Sequence, residues 1–286
     1  MSESEHINVL VSKPGSGLHY IPGFIKPNQR ADIFDYLKSL YPIWEKRFSE
    51  HRPLPTGKVQ RELLRPTYWL GNWQFACLGY YHPPKGLLNR SIQAESYPLA
   101  LQKAVKRIEN FVHLRFAAKD IPKGWHLNTC LINFYGSRIE GNKKVDSGRV
   151  GEHKDFEPGP IGSISFGDRA LIQFVTSQGK HAPSEVKYQQ WLEDCSLQVF
   201  GGERYKNQLF HRVQRVENKL KSDFQFHTTR YETRRVNLTF RYVPDEHIID
   251  LEKLPRNLAS DIQGYVQELS HHSEFWKSAF KKTYSR

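Results

Sequence analysis

The chain has 286 residues, enough for one large domain or two small ones and long enough to bury a sizeable core. Its formal net charge of +12 favours contact with a polyanion, nucleic acid foremost. No stretch approaches 18 consecutive apolar residues, the polar N-terminus lacks a signal-peptide centre, and Cys77, Cys130 and Cys195 are too scattered for a disulfide framework or a CxxC zinc site, so a cytoplasmic monomer with free thiols and no membrane contact is expected.

Taken in order, Tyr20-Ile-Pro-Gly-Phe24 reads as a short extended piece ending in a turn. A helix is predicted from Asn28, a suitable N-cap, to Leu40, with Ile33, Leu37 and Leu40 at helical spacing. Residues 46–90 carry eight Lys/Arg against two acids, interleaved with seven aromatics (Phe48, Tyr68, Trp69, Trp73, Phe75, Tyr80 and Tyr81). That mixture suits a nucleic-acid lid, since cations hold phosphates and aromatic faces stack on bases. The competing reading makes the same aromatics the core of a small sheet. A second helix is predicted over 95–117, with an apolar stripe of Leu101, Val105, Ile108 and Val112 that packs the outside of a sheet.

Residues 127–135 alternate as a strand, which sets Asn133 and Tyr135 on one face. A Gly- and Lys-rich loop is expected over 136–150. Ser163–Phe166 and Ala170–Val175 read as two strands joined by a tight hairpin at Gly167-Asp168. Residues 180–195 read as a polar excursion, Leu197–Phe200 as a strand, and the basic stretch 212–235 as either a nucleic-acid-facing loop or a solvated hairpin. Beyond residue 244, an amphipathic helix starting near Asn257 and a following Phe275/Trp276/Phe280 segment are expected, as a packing brace in preference to a partner site. His271-His272 has no third ligand at sensible spacing and reads as surface. The many short strands with Gly/Pro turns point to an antiparallel double sheet, a jelly roll.

Three pieces carry the chemistry. His153-Lys-Asp155 is followed 58 residues later by His211, a ligand set of two His and one carboxylate that leaves positions on Fe(II) open. Then comes Arg235-Val-Asn-Leu-Thr-Phe-Arg241. Its period of two puts Arg235, Asn237, Thr239 and Arg241 on one face and Val236, Leu238 and Phe240 on the other. Two fixed cations with an amide between them make a cradle for a dicarboxylate.

This combination resembles the AlkB family of Fe(II)- and 2-oxoglutarate-dependent dioxygenases: His-x-Asp, a distant His, Arg-x-Asn-Leu-Thr-x-Arg, and ahead of them Asn133-Phe-Tyr135 in the place of an Asn-x-Tyr strand. The resemblance covers roughly residues 125–243, and more loosely the region from about residue 60. It implies a double-stranded β-helix, Fe(II) held by His153, Asp155 and His211, and 2-oxoglutarate and O2 as co-substrates. Asn133, Tyr135, Arg235, Asn237 and Arg241 are implied to contact 2-oxoglutarate, with Arg241 on the far carboxylate and Arg235 nearer the metal. In that family the region around residues 46–90 is a lid with a Trp and a Tyr near an extruded base. Trp73 and Tyr80 match best, with Trp69 a rival, and Glu157 stands where the family often has an acid just after the triad Asp, either to accept a hydrogen bond from an exocyclic amino group of the base or as a turn residue before Pro158.

The expected fold class is α+β, mainly β: a jelly-roll core with flanking N-terminal helices and a C-terminal helical extension. The expected organisation is 1–120 (helices and lid), 121–243 (dioxygenase core) and 244–286 (helical extension) within one unit. The implied function is oxidative demethylation of alkylated bases in single-stranded or flipped DNA or RNA, releasing formaldehyde, succinate and CO2. The alternative is a dioxygenase of the same fold acting on a protein or small molecule.

Overall fold

The computed structural model describes residues 16–48, 60–74, 91–146, 149–176, 184–214, 226–228 and 231–284. In chain order the elements are β1 (Leu18–Ile21), α1 (Pro27–Ser39), β2 (Lys46–Phe48), β3 (Gln60–Glu62), β4 (Thr67–Leu70), β5 (Asn72–Gln74), β6 (Ser91–Gln93) and α2 (Leu99–Arg115). There follow β7 (Thr129–Glu140), β8 (Lys143–Asp146), β9 (Val150–His153), β10 (Ile161–Gly167), β11 (Ala170–Thr176), β12 (Glu185–Leu192) and β13 (Ser196–Phe200). After a π-helical turn at Glu203–Gln208 come β14 (Phe210–Gln214), β15 (Phe226–Thr228), β16 (Tyr231–Arg241), β17 (Ile248–Ile249), α3 (Arg256–Ser270) and α4 (Glu274–Tyr284).

Two antiparallel sheets face one another. The larger runs β1-β13-β10-β16-β7-β4, with β15 beside β16 and β8 beside β7. The smaller runs β12-β11-β14-β9. Each strand of the large sheet shows two faces. The outer face, with Ile132, Phe134, Ile164, Phe166, Leu197, Val199, Val236, Leu238 and Phe240, joins one core with the helices. Phe34 of α1 packs edge-on to Phe166 at 5.4 Å, and Gly162 leaves room for Ile108 of α2, whose methyl would lie 3.0 Å from a Cβ there. The predicted stripe of α2 is buried as expected. The inner face shares a smaller core with the second sheet, where Leu18, Tyr20, Ile161 and Phe200 meet Ile172, Phe174 and Leu192. Burying both faces of the central strands explains why β16 reads as nearly continuous burial while still alternating apolar and polar residues.

Four expectations need correction. Helix α1 begins at Pro27, with Lys26 at the N-cap: the ring presets the first helical turn, and the Lys26 N–H is taken by the Gln29 side chain at 3.2 Å. Gly167-Asp168 is a corner between sheets rather than a hairpin: β10 pairs with β13 and β16, while β11 pairs with β12 and β14. Gly167, at φ 82°, supplies the left-handed step, and the Asp168 N–H is donated to the Arg234 carbonyl at 2.9 Å. The region expected as a Gly/Lys-rich loop is largely strand, β7 running to Glu140 and returning as β8. The polar excursion contains β12, an edge strand whose exposed side chains hide its pairing to β11.

The tail does brace the fold. Trp276 of α4 packs edge-on to Trp73 at 5.6 Å, and Ile262, Val266 and Leu269 of α3 complete that core. His272 is exposed and stacks on Tyr41 at 3.7 Å. No helix among the described residues is long and apolar enough to cross a membrane.

Candidate active site

The small sheet brings the two predicted histidines together. β9 and β14 are neighbours, and their register sets His211 directly opposite His153. The ring centroids lie 4.1 Å apart. Asp155 follows just beyond the end of β9, and its Oδ2 lies 3.4 Å from His211 Nε2. Ligand atoms of His153, Asp155 and His211 all fall within 4.8 Å of one another, the one such cluster among the described residues. His153 Nδ1–H donates to the Gly151 carbonyl at 2.8 Å, which fixes the tautomer and turns Nε2 into a free ligand atom.

The electrostatics favour a cation at this point over a proton. Burial of the His153 nitrogens pushes its basicity well down, and the neighbouring His211 and Arg241 push the same way, against the pull of Asp155. Burial alone would raise the Asp155 carboxyl, but Arg241 and the two imidazoles outweigh it and hold it well below the usual carboxylate range. A neutral His153 imidazole beside a fixed Asp155 carboxylate is the protonation pattern a divalent metal needs.

The large sheet supplies the second half. Its inner face is laid out in rows by strand register. Tyr135 of β7 faces Arg235 of β16, and Asn133 faces Asn237, which in turn faces Ser165 of β10. A bulge between Thr233 and Arg235 leaves Arg234 unpaired and aims Arg235 inward. Gly136 beside it is obligatory, since a Cβ there would sit 1.7 Å from the Glu232 carbonyl oxygen. Arg235 Nη2 donates to Asn237 Oδ1 at 2.7 Å and to Ser165 Oγ at 3.0 Å. Asn237 in turn donates to Thr239 Oγ1 at 2.9 Å. Buried as it is, Arg235 keeps its Nε and Nη1 without a hydrogen-bond partner among the described residues. Such orphaned donors are costly in a dry interior and fit an anion that the protein itself does not supply.

The two arginines are in the reverse of the expected order. Arg241 donates through Nε (3.1 Å) and Nη2 (2.8 Å) to Asp155 Oδ1, leaving Oδ2 toward the histidines. Arg235 lies at the other end of the trough, away from that carboxylate, among Tyr135, Ser165 and Asn237. The alternation of β16 puts both on one face but does not say which end meets Asp155.

The expected substrate residues divide. Glu157 belongs to the site: it is buried, its Oε1 lies 3.5 Å from Arg241 Nε, and its Oε2 has no hydrogen-bond partner among the described residues. Trp69 and Trp73 are corrected to core. They are 3 % and 1 % exposed, and both indole N–H groups donate to the buried Glu45 Oε1, at 2.6 and 3.2 Å. Thr67 Oγ1 lies 3.3 Å from the same oxygen, so this acid organises an interior cluster and leaves neither ring free to stack on a ligand. Tyr80 and most of the basic 212–235 stretch lie outside the described residues.

Two residues at the site escape sequence reasoning. Lys206, on the π-helical turn, is buried with no hydrogen-bond partner for its Nζ among the described residues. Burial lowers its basicity, against the attraction of Glu157 and Asp155. Arg65, just ahead of β4, donates through Nε to Asn133 Oδ1 at 2.7 Å. Neither sits in a recognisable pattern, although Arg65 precedes a Pro-led strand two residues from Thr67, which pairs with Asn133.

A family model described as the 2OG-Fe(II) oxygenase superfamily matches residues 17–241, well over half the chain. No curated protein matches by sequence. Among solved structures, the chain is similar to OsALKBH1 (TM-score 0.47, 20 % identity, covering 81 % of this chain and 100 % of that one). It is also similar to an oxidoreductase of the 2OG-Fe(II) oxygenase family from Burkholderia pseudomallei (TM-score 0.39, 14 % identity, 79 % and 85 % covered). A third is YcfD, a ribosomal oxygenase from Escherichia coli (TM-score 0.30, 12 % identity, 92 % and 66 % covered).

Proposed function

The chain belongs to the 2OG-Fe(II) oxygenase superfamily, and from that premise we propose that it is a nucleic-acid demethylase whose iron is held by His153, Asp155 and His211. Membership makes it an Fe(II)- and 2-oxoglutarate-dependent dioxygenase using O2. The bound Fe(II) supplies oxidative decarboxylation of 2-oxoglutarate to succinate and CO2, coupled to hydroxylation of a C–H bond. A hydroxylated N-methyl group then leaves as formaldehyde.

The protein's own residues do the rest. The Gly151 carbonyl orients His153, and Arg241 orients Asp155, so the ligand atoms are set before the metal arrives. Arg235, with its two unpartnered donors, pairs with the far carboxylate of 2-oxoglutarate, and Asn237 and Ser165 hold the guanidinium in place. Asn133 and Tyr135 line the same trough from β7. Glu157, with an unpartnered buried oxygen, accepts a hydrogen bond from an exocyclic amino group of the base.

The observation that carries the dioxygenase site is the His153/Asp155/His211 cluster pinned by Arg241. The nucleic-acid reading draws on the net charge of +12 and on the sequence resemblance. Burial of Trp69 and Trp73 removes two of its expected stacking residues and favours a second reading, a protein or small-molecule substrate. Formaldehyde release separates the two. The protein is incubated with Fe(II), ascorbate, 2-oxoglutarate and single-stranded DNA or RNA carrying 1-methyladenine or 3-methylcytosine. Formaldehyde from methylated strands only, absent with His211→Ala, supports demethylation. Succinate without formaldehyde moves the substrate to the second reading.

A further inference from the structure

Arg65 holds a place that neither the triad nor the Arg235–Arg241 strand accounts for. The register of β4 on β7, with Thr67 opposite Asn133, carries the chain back so that Arg65 approaches Tyr135 from one side, while β16 brings Arg235 to it from the other. The Arg65 Cζ lies 5.1 Å from the Tyr135 ring centroid and the Arg235 Cζ 4.8 Å from the same centroid. Two guanidinium groups therefore converge on one ring, with no carboxylate bonded to either among the described residues. Their side-chain partners are neutral: Asn133 for Arg65, and Ser165, Asn237 and the Tyr135 hydroxyl for Arg235, on which Arg65 acts as a like charge and Asp168 as a more distant opposite one. The nearby acid Asp168 is taken by Arg234 at 3.2 Å. Like charges gathered in a partly dry trough repel, and Arg235 keeps two donors without a partner among the described residues. An anion between them removes both penalties.

We propose that Arg65 is a second cationic partner for the far carboxylate of 2-oxoglutarate, so that two guanidinium groups flanking Tyr135 hold it. This rests on the assignment of Arg235 to that carboxylate. Arg65 sits in the bend just ahead of the edge strand β4. Arg65 also fixes the Asn133 amide through its Nε, which is a structural duty the test must separate from binding.

The test is calorimetric titration of 2-oxoglutarate into Mn(II)-loaded protein, with 2-oxobutyrate as the 2-keto acid lacking the far carboxylate. Arg65→Met is expected to weaken 2-oxoglutarate by roughly ten- to a hundredfold, the worth of one charge-assisted hydrogen-bonded pair. Arg65→Lys, which keeps the charge without the fork, recovers part of the loss. Affinity for 2-oxobutyrate stays the same in all three proteins. Unchanged 2-oxoglutarate affinity in Arg65→Met overturns the proposal and leaves the Arg235 assignment standing. Equal weakening of both keto acids also overturns it, and assigns Arg65 to holding Asn133 and the fold. No binding of 2-oxoglutarate by the unaltered protein overturns the Arg235 assignment and the two-arginine clamp together.

Discussion

The jelly-roll interior and the layer between β4–β5 and the C-terminal helices both bury acids and aromatics, to opposite ends. In the interior, Asp155 is buried among cations and imidazoles, and Arg235 keeps donors that none of the described residues fills. In the helical layer, Glu45 is buried too, but three side-chain donors converge on its Oε1, and one of them, Trp73, packs edge-on to Trp276. A buried polar group whose partners are all supplied by the protein is structure. One left short of partners beside a ligand cluster is a binding site.

Substitutions in the two regions test that contrast. The largest effect belongs to the triad. His211→Ala is expected to abolish succinate formation while leaving a cooperative unfolding transition, and retained turnover would move the metal elsewhere. Next comes Trp276→Ala, which empties the packing around Trp73 and is expected to cost about 3–5 kcal/mol in urea unfolding. Its affinity for 2-oxoglutarate should match the unaltered protein, and a loss of affinity instead would return Trp73 to the active site.

The two arginines should then separate. Arg241→Met is expected to weaken metal affinity by about 10–100-fold, as loss of a residue orienting a ligand does. Arg235→Met should weaken 2-oxoglutarate with metal affinity nearly unchanged. The opposite pattern would restore the order expected from sequence. The smallest effect is at His19, packed between Phe111 and Phe116 on the outer face. Burial, with help from the Arg115 charge, lowers its pKa from 6.5 to about 4. The unfolded chain therefore takes up this proton first, so stability is full above about pH 6.5 and falls as pH drops toward 4. His19→Leu should show a shallower decline of the urea midpoint between pH 7 and 4.5.

The same contrast explains what could be read from the chain. The triad was legible because His153-Lys-Asp155, the distant His211 and the Arg235–Arg241 strand stand in the order of a known family pattern, and β16 was legible because charge and apolarity alternate along it. Trp69 and Trp73 were not, because a large ring suits a lid and a core equally. What decides between them is Glu45 and Trp276, the latter about 200 residues away in sequence. The corner at Gly167-Asp168 has the local chemistry of a hairpin turn, and only the long-range pairing of β10 and β11 sends the chain to a different sheet. β8 and β12 have largely exposed side chains, so hydrophobic periodicity had little to report there. Arg65 and Lys206 carry no local signal at all, because their meaning comes from the side chains they meet.

The most direct test of the account is an anaerobic titration of the Fe(II)-loaded protein with 2-oxoglutarate, followed by the visible charge-transfer absorbance that a chelating 2-keto acid gives with Fe(II). A saturable band in the unaltered protein, absent with Asp155→Ala, is the predicted result. No band in the unaltered protein, or an equal band in Asp155→Ala, would contradict the assignment of His153, Asp155 and His211 as the iron site.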